Sequence, residues 1–202
     1  MKFRHVFPAL ALALLAAGLQ AEEAPAKATP AKFTYGMMMQ AGDRIIFSPC
    51  RDRSYATMED VSPDRAVTQA LNSIGLASGK KLYVELMAVV EAGVLKASAL
   101  NLARTEGRCQ LPGTADEAWR AAGNEPGWVL AAGGDKVLLK RHGKPDLTAP
   151  YGADKPAVFT SENLSFRLEN RICRDSMADD VFGWTASVTA DGQTLQGCAW
   201  QR

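Results

Sequence analysis

With 202 residues, 47% of them hydrophobic, the chain is long enough for two small domains, each with its own core. Its formal net charge of +1 provides no field to steer nucleic acid or an acidic membrane surface, which excludes those partner classes.

Residues 1–21 have the three-part layout of a secretory signal: Lys2 and Arg4, an apolar run over 6–19, and the small Ala21 as a cleavage point. The apolar run is shorter than the ~18 to 20 residues a spanning helix needs, so cleavage is expected rather than anchoring. Removal takes away two cations, and residues 22–202 carry +1 − 2 = −1. No cysteine stands at the cleavage point to carry a lipid, and no second long apolar stretch follows. The expected mature protein is periplasmic, with no transmembrane segment.

Residues 22–32, EEAPAKATPAK, combine prolines, alanines and charges with nothing to bury, and are expected as a disordered leader. Short strands are expected over 33–40, 44–50 and 54–58, with a turn at 41–43. After Ser62 the apolar period changes to that of a helix. Ser62 suits the N-cap, Pro63 the first helical position and Asp64 the positive end of the dipole, with Gly79 just past the end. Ala66, Val67, Ala70, Leu71 and Ile74 form its apolar face. Strands over 82–90 and 94–104, joined by a turn at 91–93, complete the order strand, strand, strand, helix, strand, strand. That is the order of a five-stranded OB-type barrel, assigned to 33–112.

Leu111-Pro112-Gly113-Thr114 ends this unit, and 113–121 is a linker leading to a first strand. In the second unit, 122–202, strands are expected over 128–132, 136–141, 164–169, 183–190 and 194–200, with turns at Gly133-Gly134-Asp135 and Asp191-Gly192. The three-proline stretch 143–156 is expected as a long loop. The fold class is thus mainly β: an OB-like barrel with one helix, then a small antiparallel barrel or sandwich.

Cys50, Cys109, Cys173 and Cys198 are an even number in an exported chain, which points to disulfides. Of the three possible pairings, Cys50 with Cys109 and Cys173 with Cys198 fits the two-unit split. There is no C-x-x-C, and the spacings do not match zinc sites, so no metal and no cofactor is expected.

Catalytic constellations are weak. His142 is the one histidine after residue 21 and sits among Lys140, Arg141 and Lys144, with no G-x-S-x-G to supply a nucleophile. Asp175, Asp179 and Asp180 are too close in sequence to be assigned as the two facing carboxyls of a glycosidase, and read as turn formers. Met37-Met38-Met39 raises Cu(I), but alternation on a strand puts only two of the three on one side, and methionine fills cores.

Gly123-Asn124-Glu125-Pro126-Gly127-Trp128 reads as a stiff turn leading into the second unit, with Pro126 fixing the chain and Trp128 as an apolar anchor. A binding lip is the alternative. The site expected here combines Asn124, Glu125 and Trp128 with Arg174 and Asp175, as a polar rim around an indole.

Three motifs, G-N-E-P-x-W at 123–128, C-x-D-x-M at 173–177 and L-x-G-C-A at 195–199, resemble a family of uncharacterised bacterial envelope proteins, many of them predicted lipoproteins. The resemblance covers roughly residues 117–202 and supports the Cys173–Cys198 bridge. The chain departs from the family in lacking the lipid-attachment cysteine and in having Ala178 where serine is usual. The first half more faintly resembles the OB-like domain of the envelope-stress and copper-homeostasis lipoprotein NlpE, without that protein's C-x-x-C.

The expected function is therefore non-enzymatic: a periplasmic binding or envelope-maintenance protein whose partner is a protein or a glycan. The rivals are an inhibitor of a lysozyme or protease, and an unrecognised hydrolase that would need His142 in a pocket with Ser or acid residues.

Overall fold

The computed structural model describes residues 29–105, 107–109, 116–152, 154, 156–175 and 177–202. The expected signal segment, leader residues 22–28 and the start of the linker at 113–115 lie outside them. No helix among the described residues is long and apolar enough to cross a membrane.

The first unit is built from β1 (Lys32–Ala41), β2 (Arg44–Pro49), β3 (Ala56–Asp60), the short helix α1 (Ala66–Ser73), β4 (Leu82–Glu91) and β5 (Val94–Arg104). β1 pairs with β2 and β4, β2 with β3, β3 runs parallel to β5, and β5 pairs back to β4. The five strands close, and the OB-type barrel expected from the element order is the one formed. Two bulges between β4 and β5 give that long hairpin the curvature closure requires. Met38, Phe47, Leu82, Leu86 and Leu95 fill the interior, and Val67 and Leu71 of α1, with Ile74 just past its end, pack onto it. Met38 is thus core, while Met37 packs outward against the second unit and Met39 is exposed.

The helix is shorter than its apolar period suggests. It ends at Ser73 because Gly75, at φ +108°, turns the chain: the Gly75 N–H bonds the Asn72 carbonyl at 3.1 Å and the Leu76 N–H reaches the Leu71 carbonyl at 3.2 Å. This is a Schellman stop, with Leu71 and Leu76 both buried. At the other end, Pro63–Arg65 forms a single 3-10 turn, and Asp64 lies in the left-handed region rather than in the first helical turn. The carboxylate that caps the helix is Asp60, which accepts the Thr68 N–H at 2.6 Å, while the Ser62 hydroxyl accepts the Val67 N–H at 3.2 Å.

The second sheet is a curled, eight-stranded antiparallel sheet. Its strands are β6 (Glu117–Asn124), β7 (Gly127–Gly133), β8 (Lys136–Arg141), β9 (Leu147–Pro150), β10 (Val158–Thr160), β11 (Leu164–Glu169), β14 (Trp184–Ala190) and β15 (Gln193–Gln201), in spatial order β10-β11-β14-β15-β6-β7-β8-β9. Strict alternation puts Trp128, Leu130, Ala132, Val137 and Leu139 inside with Phe166, Val188 and Leu195. Beyond β9, Tyr151 packs edge-on to Phe159 of β10, with ring centroids 5.8 Å apart, so side chains bring the two edge strands together. β9 falls within 143–156, where a loop was expected: Leu147 and Ala149 supply inward positions between the prolines.

The hairpin β12 (Cys173–Asp175) and β13 (Asp180–Phe182) lies in the range assigned from sequence to the second unit, but it hydrogen-bonds to the first. Val181 pairs with Ala103 and Phe182 with Leu102 of β5, extending that sheet to seven strands. Both expected disulfides are formed, Cys50–Cys109 and Cys173–Cys198. The first ties β2 to the chain just beyond β5. The second joins β12 of one sheet to β15 of the other.

The units meet on Tyr83, Leu102, Phe182, Cys198 and Trp200, with Phe182 and Trp200 ring centroids 5.0 Å apart. Through this contact runs Asn101, only 2% exposed. Its amide donates to Glu85 Oε2 at 2.8 Å and the Gln201 carbonyl at 3.0 Å, and its oxygen accepts the Gln201 N–H at 2.8 Å. The Tyr83 hydroxyl donates to the other Glu85 oxygen at 2.9 Å. Burial, and then the Glu85 charge, push the Tyr83 phenol far up, so it stays a donor.

Candidate functional site

β6 and β7 are joined at Glu125 and Pro126, whose peptide bond is cis. The hexapeptide is thus the tip of a hairpin in the middle of the second sheet, not the start of that unit: β6 is already paired before it. The tip lies against β12. Asn124 Nδ2 donates to Asp175 Oδ1 at 2.9 Å, so the two segments singled out in the sequence meet directly. The same Asp175 oxygen accepts the Met177 N–H at 2.9 Å, which orders the turn between β12 and β13.

Around this contact is a depression of about 340 Å³, walled by Arg171, Cys173, Arg174 and Asp175 on one side and Gln196 and Cys198 on the other. Ala122, Gly123 and Asn124 also border a larger depression of about 780 Å³ on the outer face of β6, β7 and β8. The two depressions adjoin along these three residues, a furrow in two parts. Its floor is set by the strand register: Ala122 opposite Val129, and Ala131 opposite Leu138, the positions that alternate with the buried set. Arg120, Lys140 and His142 stand along its rim.

The rim cations hold loose partners. Arg174 lies 3.3 Å from Asp179, Lys140 3.9 Å from Asp146 and Arg171 4.0 Å from Glu169, all with exposed side chains. Arg120 is held more closely, 2.8 Å from Glu117. Exposed pairs of this kind contribute only about 0 to 1 kcal/mol each, so a carboxylate arriving from outside can replace the internal one at little cost. Asp180 is different. Burial pushes its carboxyl up; Arg104, 3.0 Å away, offsets part of this, and the Asp175 and Asp179 charges add to it.

Of the expected site residues, Asn124, Arg174 and Asp175 come together and Glu125 is exposed at the adjoining tip. Trp128 does not join the rim. It is 3% exposed, points into the second core, and donates its indole N–H to the Gln196 carbonyl at 3.3 Å. Gly123 and Gly197 lack side chains where its ring passes: a Cβ on either would overlap the indole. His142 is exposed at the far rim, and no Ser, Thr or Cys lines that part of the furrow among the described residues. Asp175 and Asp179 serve the β12–β13 turn, Asp179 at φ +48°. Sequence reasoning missed Arg120, Val129, Leu138 and Arg171. Their signal was the outward half of the alternation, which only becomes a surface once β6 is placed beside β7 and β15.

The chain matches no protein-family model, no curated protein and no solved structure.

Proposed function

We propose that this is an exported, non-enzymatic periplasmic protein that binds an extended segment of another protein in the furrow over β6, β7 and β8. The observation that carries this reading is the Asn124–Asp175 contact, which holds two separate loops together where the two depressions adjoin, beside an aliphatic floor and rim cations with loose partners. Sugar sites use exposed aromatic faces as platforms, and the large ring here, Trp128, lies beneath the floor instead. Ala122, Val129, Ala131 and Leu138 suit aliphatic side chains, and Arg120, Lys140, Arg171 and Arg174 suit carboxylates, so a protein segment is the better fit than a glycan. The signal-like layout of residues 1–21, the two disulfides and the three-motif resemblance to envelope proteins support the compartment.

The test is photo-crosslinking in intact cells from Val129, which is exposed on the furrow floor, with Val158 of the far edge strand as the control position. Discrete protein adducts from 129, absent from 158 and reduced by Arg174→Glu, are expected. Identical adduct patterns from the two positions would end this reading. A second reading, an inhibitor of a lysozyme or protease, is favoured by the β12–β13 turn held by the Cys173–Cys198 bond, since preorganised loops lose little entropy on binding. Unchanged rates across a panel of such hydrolases would remove it.

A further inference from the structure

Resting on the furrow as the binding site, we infer that the Cys173–Cys198 bond is its latch: forming this bond closes the β12 wall, and breaking it opens the furrow while both barrels stay folded. Cys173 immediately precedes Arg174 and Asp175 on β12. Cys198 pairs in register with Ala122, two residues before Asn124. The bond therefore spans the recess at its narrow end, and both of its residues line it.

β12 is an edge strand, and its ladder runs to β13 alone. Across the furrow it is held by this bond, by the Asn124–Asp175 hydrogen bond and by the half-buried Cys173 itself, which packs on the cluster of Tyr83, Phe182 and Trp200 with its Sγ 3.5 Å from the Gly197 carbonyl. β13 is anchored independently. Val181 is fully buried in the first barrel's core, Phe182 packs on Trp200, Asp180 pairs with Arg104, and the strand pairs with β5. Without the bond, β13 stays in place and β12 is left with one short ladder, the packing of a single half-buried side chain at 173, and one surface hydrogen bond contributing about 1 kcal/mol. The Cys50–Cys109 bond has no such position, lying wholly within the first unit.

The chemistry balances as thiol–disulfide exchange. Two thiols give up two protons and two electrons to the disulfide of an oxidant, which leaves as a dithiol, and the Sγ–Sγ bond forms; a reducing dithiol reverses the step.

Amide hydrogen exchange on the full chain, comparing wild type with a Cys173→Ser/Cys198→Ser variant, tests this. Exchange of the β12 amides that bond β13 is expected to rise at least about tenfold, with β1–β5 and β6–β8 protected as in wild type, the pattern of a local opening. Unchanged protection of β12 would overturn the latch, and so would loss of protection throughout both sheets. Adducts from Val129 are followed alongside: if β12 loosens and the adducts persist, the latch stands and the furrow reading fails.

Discussion

Trp128 and Gly197 share one volume: a Cβ on Gly197 would lie 2.7 Å from Cζ2 of the indole. Gly123, on the neighbouring strand, makes the same concession, with its Cβ position 2.8 Å from Cε2. The glycines of G-N-E-P-x-W and L-x-G-C-A are therefore two sides of one slot, and the tryptophan between them supports the furrow from below.

Gly197→Ala forces both that ring and the Ala122 carbonyl to move, and overpacking of this kind costs about 1 to 3 kcal/mol. Trp128→Ala empties the slot and costs about 3 to 5 kcal/mol. Urea unfolding midpoints should fall in both variants. A Trp128→Ala protein as stable as wild type would show that the indole is not part of the core.

Asn101 is the polar link between the units, and Asn101→Ala leaves the buried Glu85 oxygen and the Gln201 N–H without their partner. Leaving such groups unpaired costs about 3 kcal/mol. Faster hydrogen exchange at the C-terminal end of β15, with the first core unchanged, is the expected local signature. Asn101→Leu, which fills the volume but pairs neither group, should not rescue it.

Removing Cys50–Cys109, which closes a span of 59 residues, is expected to cost about 4 kcal/mol on the chain-entropy account. The loss should appear in the first barrel, as a lower melting temperature for the exchange-protected core around Leu86 and Leu95. Equal melting in the Cys50→Ser/Cys109→Ser variant would refute it.

Asp60 gives the first unit an acid dependence. Burial pushes its carboxyl up, but hydrogen bonds from the Ser62 hydroxyl and N–H and the Thr68 N–H outweigh this and hold it below the ordinary aspartate range. A lowered folded pKa means the stabilisation is present above the unfolded aspartate pKa and is lost as pH falls through the folded one. Asp60→Asn should flatten the acid side of the stability profile of the first unit, and Asp60→Ala should cost about 1 kcal/mol at neutral pH through the lost cap. A profile unchanged by Asp60→Asn would assign the acid dependence elsewhere.

The candidate site was legible in its parts. Asn124 and Asp175 stood out as short polar residues in turn-rich stretches, and their contact across 51 residues follows from the structure, not from either stretch. Trp128 was legible as an anchor, but its side was not: a tryptophan at a hairpin tip faces in or out according to register, and here the register with β6 and β8 turns it inward. The helix stop was misplaced because Gly75 and Gly79 both have positive φ, and hydrophobic period alone does not say which one the chain uses first.

By itself the sequence determined the order of elements in the first unit, the OB-type barrel that this order closes into, and the four half-cystines, because alternation, turn residues and cysteine spacing act over a few residues at a time. Tertiary structure decided that β12 and β13 cross back to β5, that the second bridge joins two sheets, and that the furrow exists. Edge strands of three residues bury too little to declare a partner, so the choice passes to Val181 and Phe182 finding places in cores already built by the rest of the chain.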